Sequence, residues 1–280
     1  MSARPSRRQF LKAAAALSGS LLVADSIFEA RSLEVRHLTL DAPSLPPALD
    51  GLRIAHLTDL HLPCAAADRA AEAIEAEGVD LVVVTGDTIQ RRPRRLELVT
   101  PFMLRARGRR GTFAVRGNND HWSRVGEPSL AQAYADAGAT LLDNSSAVVH
   151  YNGADLQIIG LDDPSVGTPD LARALKDADR TLPSIWLVHS PGYIDRIDPV
   201  AWHLPRAIAI FAGHTHGGQI RGPGCTPYTP PGSGRFKSGW YEAPLGPAYI
   251  SRGVGTSVIP FRFLCQPELP IFTLRRRTAT

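Results

Sequence analysis

A chain of 280 residues with 44% hydrophobic content is long enough to bury one large core. Its 24 glycines and 23 prolines fit a loop-rich globular enzyme and argue against a disordered protein. The net charge is +4, and residues 1–30 carry +2 of it, with Arg4, Arg7, Arg8 and Lys12 against Asp25 and Glu29. The remainder is too mild to argue for nucleic-acid binding, so no stable nucleic-acid partner is expected.

The N-terminus reads as a targeting segment. Ser6-Arg7-Arg8-Gln9-Phe10-Leu11-Lys12 is a twin-arginine pattern, and the apolar stretch Ala13 to Ala24 follows it. The expectation is export by the twin-arginine translocase to the periplasm or the outer face of the cytoplasmic membrane. About a dozen apolar residues are short for a membrane span. No good cleavage site stands out, so residues 1–30 are a signal or a retained anchor, and a membrane surface is a candidate partner. Residues 31–50 are expected to hold a strand and a linker, and residues 51–275 the main domain.

Alternation over Leu33–Leu40 predicts a first strand, and Pro43–Pro47 a linker. The apolar run 52–57 predicts a strand, and Ala66–Glu77 an Ala-rich helix closed by Gly78. A strand over 80–84 precedes a helix from Pro93 to Ala106 with proline in its first turn. A strand over 112–116 precedes a helix over 128–137, stopped by Gly138. Residues 139–161 hold two or three short strands, with Asn152-Gly153 as a hairpin turn. Thr168 begins a helix that runs to about Arg180. Strands follow at 185–188 and 207–212. The last quarter is strand and loop, with the apolar run Val258–Phe261 either a membrane contact or, the favoured reading, part of the core. Strand and helix alternate in the first half, and strands run consecutively in the second. That pattern predicts an α/β layered fold of two packed sheets with helices outside.

Five polar motifs follow apolar runs along this framework. They are Asp59-Leu60-His61, Gly86-Asp87, Gly117-Asn118-Asn119-Asp120, His189 in Val188-His189-Ser190, and Gly213-His214-Thr215-His216. Buried strands deliver such side chains at their C-terminal ends, where ligand sites of α/β sheets gather. Carboxylate, imidazole and amide oxygen without thiolate suit divalent Mn, Fe or Zn. Their number suggests two ions. Alone, Asp87 reads equally as a helix N-cap, Asn118 as a turn residue, and His61 or His189 as a core histidine. The ordered set decides against those readings.

The order D-x-H, G-D, G-N-x-D, H, G-H-x-H resembles the calcineurin-like metallophosphoesterase superfamily. Gly213-His-Thr-His-Gly-Gly-Gln-Ile220 and Ser251-Arg-Gly-Val-Gly-Thr256 resemble its exported YkuE/YaeI-like branch. The resemblance implies a four-layer α-β-β-α sandwich of two mixed sheets flanked by helices. It implies one ion on Asp59, His61, Asp87 and His216, and another on Asp87, Asn118, His189 and His214. The expected activity is hydrolysis of a phosphodiester or diphosphate bond by a metal-bound hydroxide. Alternatives are a lipid diphosphatase of the UDP-2,3-diacylglucosamine type and a metal-retaining envelope protein without turnover.

The superfamily block is usually G-N-H-[DE], and its histidine is usually assigned to leaving-group protonation. Here that position is Asn119, which donates a hydrogen bond but cannot act as a general acid. The expectation shifts toward diphosphates and activated diesters. Asn119, Asp120 and His121 form the candidate catalytic group, with Asp120 expected to orient the loop. His121 is either a substitute acid or, the favoured reading, a solvent-facing residue beside Trp122. Arginines 91, 92, 94, 95, 105, 107, 109 and 110 form either a solvated face or a contact for an anionic headgroup. The segment Tyr228–Trp240 is a candidate cleft wall. Of Cys64, Cys225 and Cys265, the last two are the first choice if an oxidising compartment joins any pair, and the favoured reading leaves them free.

Overall fold

The structure is a computed structural model that describes residues 22–43, 45–92 and 94–277. The twin-arginine pattern and most of the apolar stretch after it lie outside the described residues.

The strands are β1 (Glu34–Asp41), β2 (Arg53–Leu57), β3 (Leu81–Thr85), β4 (Gly111–Val115), β5 (Thr140–Leu141), β6 (Ser145–Tyr151), β7 (Ala154–Gly160), β8 (Ser184–Leu187), β9 (Ala209–Ala212), β10 (Gly239–Ala243), β11 (Gly246–Ile250) and β12 (Glu268–Arg275). They form two six-stranded sheets, ordered β1-β12-β2-β3-β4-β5 and β10-β11-β9-β8-β7-β6. Both sheets are mixed. β2, β3, β4 and β5 run parallel, whereas β12 pairs antiparallel with β2. β7, β8, β9 and β11 run parallel, with antiparallel β6 and β10 at the edges. The C-terminal ends of the central parallel strands of both sheets supply the loops that carry the polar motifs.

The sheets pack face to face. Ile54, Val83 and Val115 of one meet Ile158, Leu187, Phe211 and Tyr249 of the other. Val82, Val84 and Ala114 face the opposite way, onto the helices α1 (Ala65–Glu77), α2 (Val99–Arg105) and α4 (Glu127–Ala135). This explains why β3 reads Leu-Val-Val-Val-Thr with no alternation, since both its faces are covered. A short helix, α3 (Asn118–Trp122), follows β4 directly. The outer face of the second sheet packs Trp186 and Ile210 under Leu171, Leu175, Ile194 and Phe236.

Helix α1 buries Ala66, Ala67, Ala70, Ala71 and Ile74 and ends at Gly78, whose φ of 53° only glycine adopts cheaply. The Asn152-Gly153 turn forms as expected, with φ of 50° and 87° between β6 and β7. Three expectations change. The helix expected from Pro93 begins at Leu96 as a 3-10 turn and becomes α-helical only at Val99. The proline in its first turn is Pro101, which has no N–H to donate and fixes the helix start just before it. Pro93 lies outside the described residues. The helix expected over 168–180 is one turn, α5 (Leu171–Ala174), capped by Asp170. The Asp179 carboxylate accepts from Thr181 N and Oγ1, so it favours a turn over further helix. The run Val258–Phe261 is not core: Val258 is 99% exposed and Pro260 is exposed.

Cys225 and Cys265 are both free. The Cys265 thiol points inward and donates to His216 O at 3.2 Å, while Cys225 sits in an exposed turn with Gly222. The arginines from 91 to 110 are mostly exposed, which both readings of them require. Arg105, for instance, pairs with Asp68 at 2.7 Å across two exposed side chains.

His56 of β2 lies between the sheets against Phe211, and its Nε2 meets Thr85 Oγ1 at 2.8 Å. Burial pushes its pKa down to about 4 from 6.5. The folded chain therefore keeps His56 neutral where the unfolded chain takes a proton, so stability falls as pH drops from about 6.5 to about 4. Comparing urea unfolding of the parent and His56→Asn, both with chelator, should show that the parent alone loses this contribution, about 3 kcal/mol. Parallel pH profiles would contradict it.

Candidate metal centre

The seven residues expected as ligands converge. All are buried, from loops after β2, β3, β4, β8 and β9. The His61 and His216 Nε2 atoms lie 3.1 Å apart, and His216 Nε2 is 3.3 Å from Asp59 Oδ1. In a second cluster Asn118 Oδ1 lies 2.8 Å from His214 Nδ1 and 3.1 Å from His189 Nε2. Asp87 stands between them. Its Oδ2 is 3.6 Å from His61 Nε2, and its Oδ1 is 3.5 Å from His189 Nε2. One carboxylate thus offers one oxygen to each cluster.

The local backbone is built for this convergence. Asp59, His61, Asp87, His214 and His216 have φ between 48° and 68°. Each such left-handed residue costs about 1 kcal/mol or more and persists only where the surroundings enforce it. Two glycines permit the close approach. A Cβ on Gly117 would overlap Asp87 Oδ1, and one on Gly213 would overlap Thr58 Oγ1 and Asp59 Oδ2.

Outer hydrogen bonds set the imidazole tautomers. His189 Nδ1 donates to Thr85 O at 2.7 Å, which leaves Nε2 as the lone pair facing Asn118 and Asp87. His214 Nε2 donates to Pro231 O at 2.8 Å, which leaves Nδ1 free toward the same point. Lone pairs of nitrogen and oxygen therefore point at one another across about 3 Å, an arrangement that a cation satisfies and that neutral hydrogen bonding does not. The donor set of imidazole, carboxylate and amide oxygen fits divalent metal ions.

Electrostatics agree. Burial pushes the Asp87 carboxyl up to about 7, with Asp59 and Asp120 adding to the shift against His189. Burial also opposes ionisation of Asp59, yet His216, His189 and His61 hold its carboxyl below the usual range. Burial disfavours charge on His189, but Asp87 and Asp59 outweigh it and raise that imidazole to about 9. Burial pushes His61 down to about 4 and His216 well below its ordinary value. Without a cation, the cluster keeps a proton on His189 to offset its carboxylates.

The three candidate catalytic residues fall in different places. Asn119 is turned onto Asp87, with its backbone N–H to Oδ1 at 2.6 Å and its amide Nδ2 to Oδ2 at 2.7 Å. Asp120 accepts from Gly117 N at 2.9 Å and Ile89 N at 3.1 Å, so it ties the β3 and β4 loops together, as expected. His121 is not solvent-facing, because its Nε2 meets Asp162 Oδ1 at 2.7 Å with the ring mostly buried. Asp162 also draws Arg116 to 3.3 Å.

Three supporting residues receive no role in the sequence reading, although Gln219 lies within the Gly213–Ile220 motif. Asp163 is fully buried, accepts from Ser190 Oγ at 2.5 Å, and adds negative charge near His189. A signal for it existed, because Asp162-Asp163 also follows an apolar run, Leu156–Leu161. Arg262 is fully buried and donates to the carbonyls of Gly255 at 2.6 Å and Arg252 at 2.8 Å, with its Nη2 3.4 Å from His216 Nδ1. Gln219 bonds the 257–259 backbone. Of the segment expected as a cleft wall, Pro231 and Gly232 line a cavity of about 430 Å³ with Ser165, Tyr193 and Arg196. Pro231 touches His214 directly. A second cavity, about 510 Å³, lies beside β1 and β10 and includes none of these residues.

Because His189 must lose its proton to bind an ion, affinity for Mn(II) should rise from pH 6 to pH 9. Calorimetric titration at pH 7 in buffers of different protonation enthalpy should show about one to two protons released per chain. No release would contradict the role given to His189.

Residues 52–218 match the calcineurin-like phosphoesterase family. The chain is 30% identical to the uncharacterized metallophosphoesterase YkuE of Bacillus subtilis, over 96% of this chain and 98% of that one. It is 29% identical to an uncharacterized metallophosphoesterase of Aquifex aeolicus, over 91% of this chain and 97% of that one. Phosphodiesterase YaeI of Escherichia coli is 29% identical over 58% of each chain. The converging ligand motifs and this match over most of the fold agree, and the chain belongs to the calcineurin-like phosphoesterase family, hydrolases of phosphoester bonds.

Proposed function

We propose that this hydrolase cleaves phosphodiester or diphosphate bonds with good leaving groups, using two divalent ions. Asp59, His61, Asp87 and His216 would hold one ion, and Asp87, Asn118, His189 and His214 the other. The carrying observation is the Asp87 carboxylate, whose two oxygens face two separate imidazole clusters. Mn, Fe and Zn all suit the donor set. When bound, such a pair acidifies a shared water, polarises the phosphoryl oxygens and aligns the displacement.

The residues around the ions set the substrate range. His189 and His214 are held in fixed tautomers by Thr85 O and Pro231 O, so the second cluster is organised before any ligand arrives. Asn119 steadies Asp87 through both of its oxygens and carries no transferable proton. The other residue considered as an acid, His121, turns its Nε2 to Asp162. An alkoxide leaving group would depart unprotonated, whereas a phosphate or aryl oxide carries its own charge. YaeI is named a phosphodiesterase, which supports the diester reading. The twin-arginine pattern supports export, with an envelope phosphodiester or lipid diphosphate as substrate.

The Mn(II)-loaded chain should hydrolyse bis-p-nitrophenyl phosphate in preference to p-nitrophenyl phosphate, and Asp87→Asn should abolish turnover. Asn119→His should raise the rate on a dialkyl phosphodiester, whose leaving group is an alkoxide, by about 10²-fold, the usual worth of a general acid. Metal binding without turnover of either ester would replace this reading with that of a metal-retaining envelope binding protein.

A further inference from the structure

The loop after β11 exposes apolar residues under backbone strain. Val258 is 99% exposed at φ 65°, and Leu264 is 52% exposed at φ 52°. A β-branched residue at positive φ is a genuine outlier, and strain of this kind gathers at functional surfaces. The loop is clamped onto the metal motifs. Gly255 N donates to Asp59 O at 2.7 Å, and Gln219, three residues after His216, bonds Ser257 and Ile259.

Two further surfaces adjoin it. The helical segment 22–31 docks on residues 262–265, where Ser26 O accepts from Arg262 N at 3.0 Å and Glu29 accepts from Leu264 N at 2.9 Å. Only Ser26 and Ala30 of that segment are buried. Val23, Ile27 and Phe28 are 55%, 37% and 70% exposed, and the apolar stretch from Ala13 leads into it. On the other side, Gln90 reaches Thr256 O at 3.5 Å and begins a run of exposed arginines, Arg91, Arg92 and Arg94. Among the described residues none of the three joins an ion pair. Arg91 lies 5.9 Å over the ring of Trp122, itself 44% exposed, on the helix that carries Asn118.

We propose that this rim is a docking face for an anionic phospholipid bilayer, which brings the metal centre to the phosphoester headgroups of lipids. The inference rests on the phosphoesterase reading for its substrate class and on the surface alone for its partner. Isolated exposed apolar residues are ordinary. Here they adjoin arginines outside any ion pair and an exposed tryptophan, on loops bonded to those that carry Asp59 and His216 and on the helix that carries Asn118, the composition of an interfacial surface. The positive charge of Arg91, Arg92 and Arg94 complements anionic headgroups. Val23, Ile27 and Phe28 are exposed on the segment that docks beside Leu264, so a bilayer would cover both.

Flotation of the full chain with phosphatidylcholine vesicles, with and without phosphatidylglycerol, tests this. The chain should float with the anionic vesicles. Val258→Asp/Leu264→Asp should bind them about tenfold more weakly, and Arg91→Glu/Arg92→Glu should lose the preference for anionic lipid. Undiminished binding by both double variants would assign attachment to the N-terminal segment and overturn the proposal. So would a chain that stays unbound, or a parent dimer that Val258→Asp/Leu264→Asp converts to monomer. Hydrolysis of bis-p-nitrophenyl phosphate by Val258→Asp/Leu264→Asp should match the parent. Failure of the docking face is thereby separated from failure of the phosphoesterase reading.

Discussion

Two buried carboxylates and four buried imidazoles share one space between the ends of two sheets, and their mutual repulsion and desolvation must be relieved. Among the described residues no lysine or arginine pairs with Asp59 or Asp87. A buried unpaired carboxylate is among the most expensive things a fold can contain. Divalent ions relieve that cost, and so would protons, as the raised His189 and Asp87 show. The rest of the site follows from choosing ions. Lone pairs are aimed inward by backbone carbonyls, and left-handed residues are tolerated because five loops converge.

The sandwich supplies the rigidity that this demands. Central strands are buried on both faces, and β2, β3 and β4 run in register to Leu57, Thr85 and Val115, so each motif starts from a fixed point. Glycines at 117 and 213 let the loops close to contact distance. Arg262 and Gln219 then fasten the C-terminal loop onto the His214–His216 turn. The final strand, β12, lies between β1 and β2. Glu268 within it anchors Arg36 and Arg252, so the chain's two ends brace the first sheet.

The convergence of the candidate ligands was legible because each follows a buried strand, and strand ends are readable from apolar runs. The place of Asp87 between the two clusters was suggested too, since a carboxylate alone among the donors has two equivalent oxygens. The orienting partners were not, because Thr85 and Pro231 act through backbone carbonyls, which every residue has. Arg262 was hidden for a different reason. A buried arginine looks like any surface arginine until the carbonyls that surround it are known. Val258–Phe261 misled because an apolar run predicts burial only where another element covers it. The helix from Thr168 misled because Asp179 competes for the backbone within the same segment.

The central claim is that this cluster exists to hold two ions through a shared Asp87. Anomalous diffraction from a crystal grown with Mn(II) measures it directly. The account predicts two anomalous peaks, one among Asp59, His61 and His216 and the other among Asn118, His189 and His214, with one Asp87 oxygen on each. A single peak, or two peaks that Asp87 does not bridge, would contradict it.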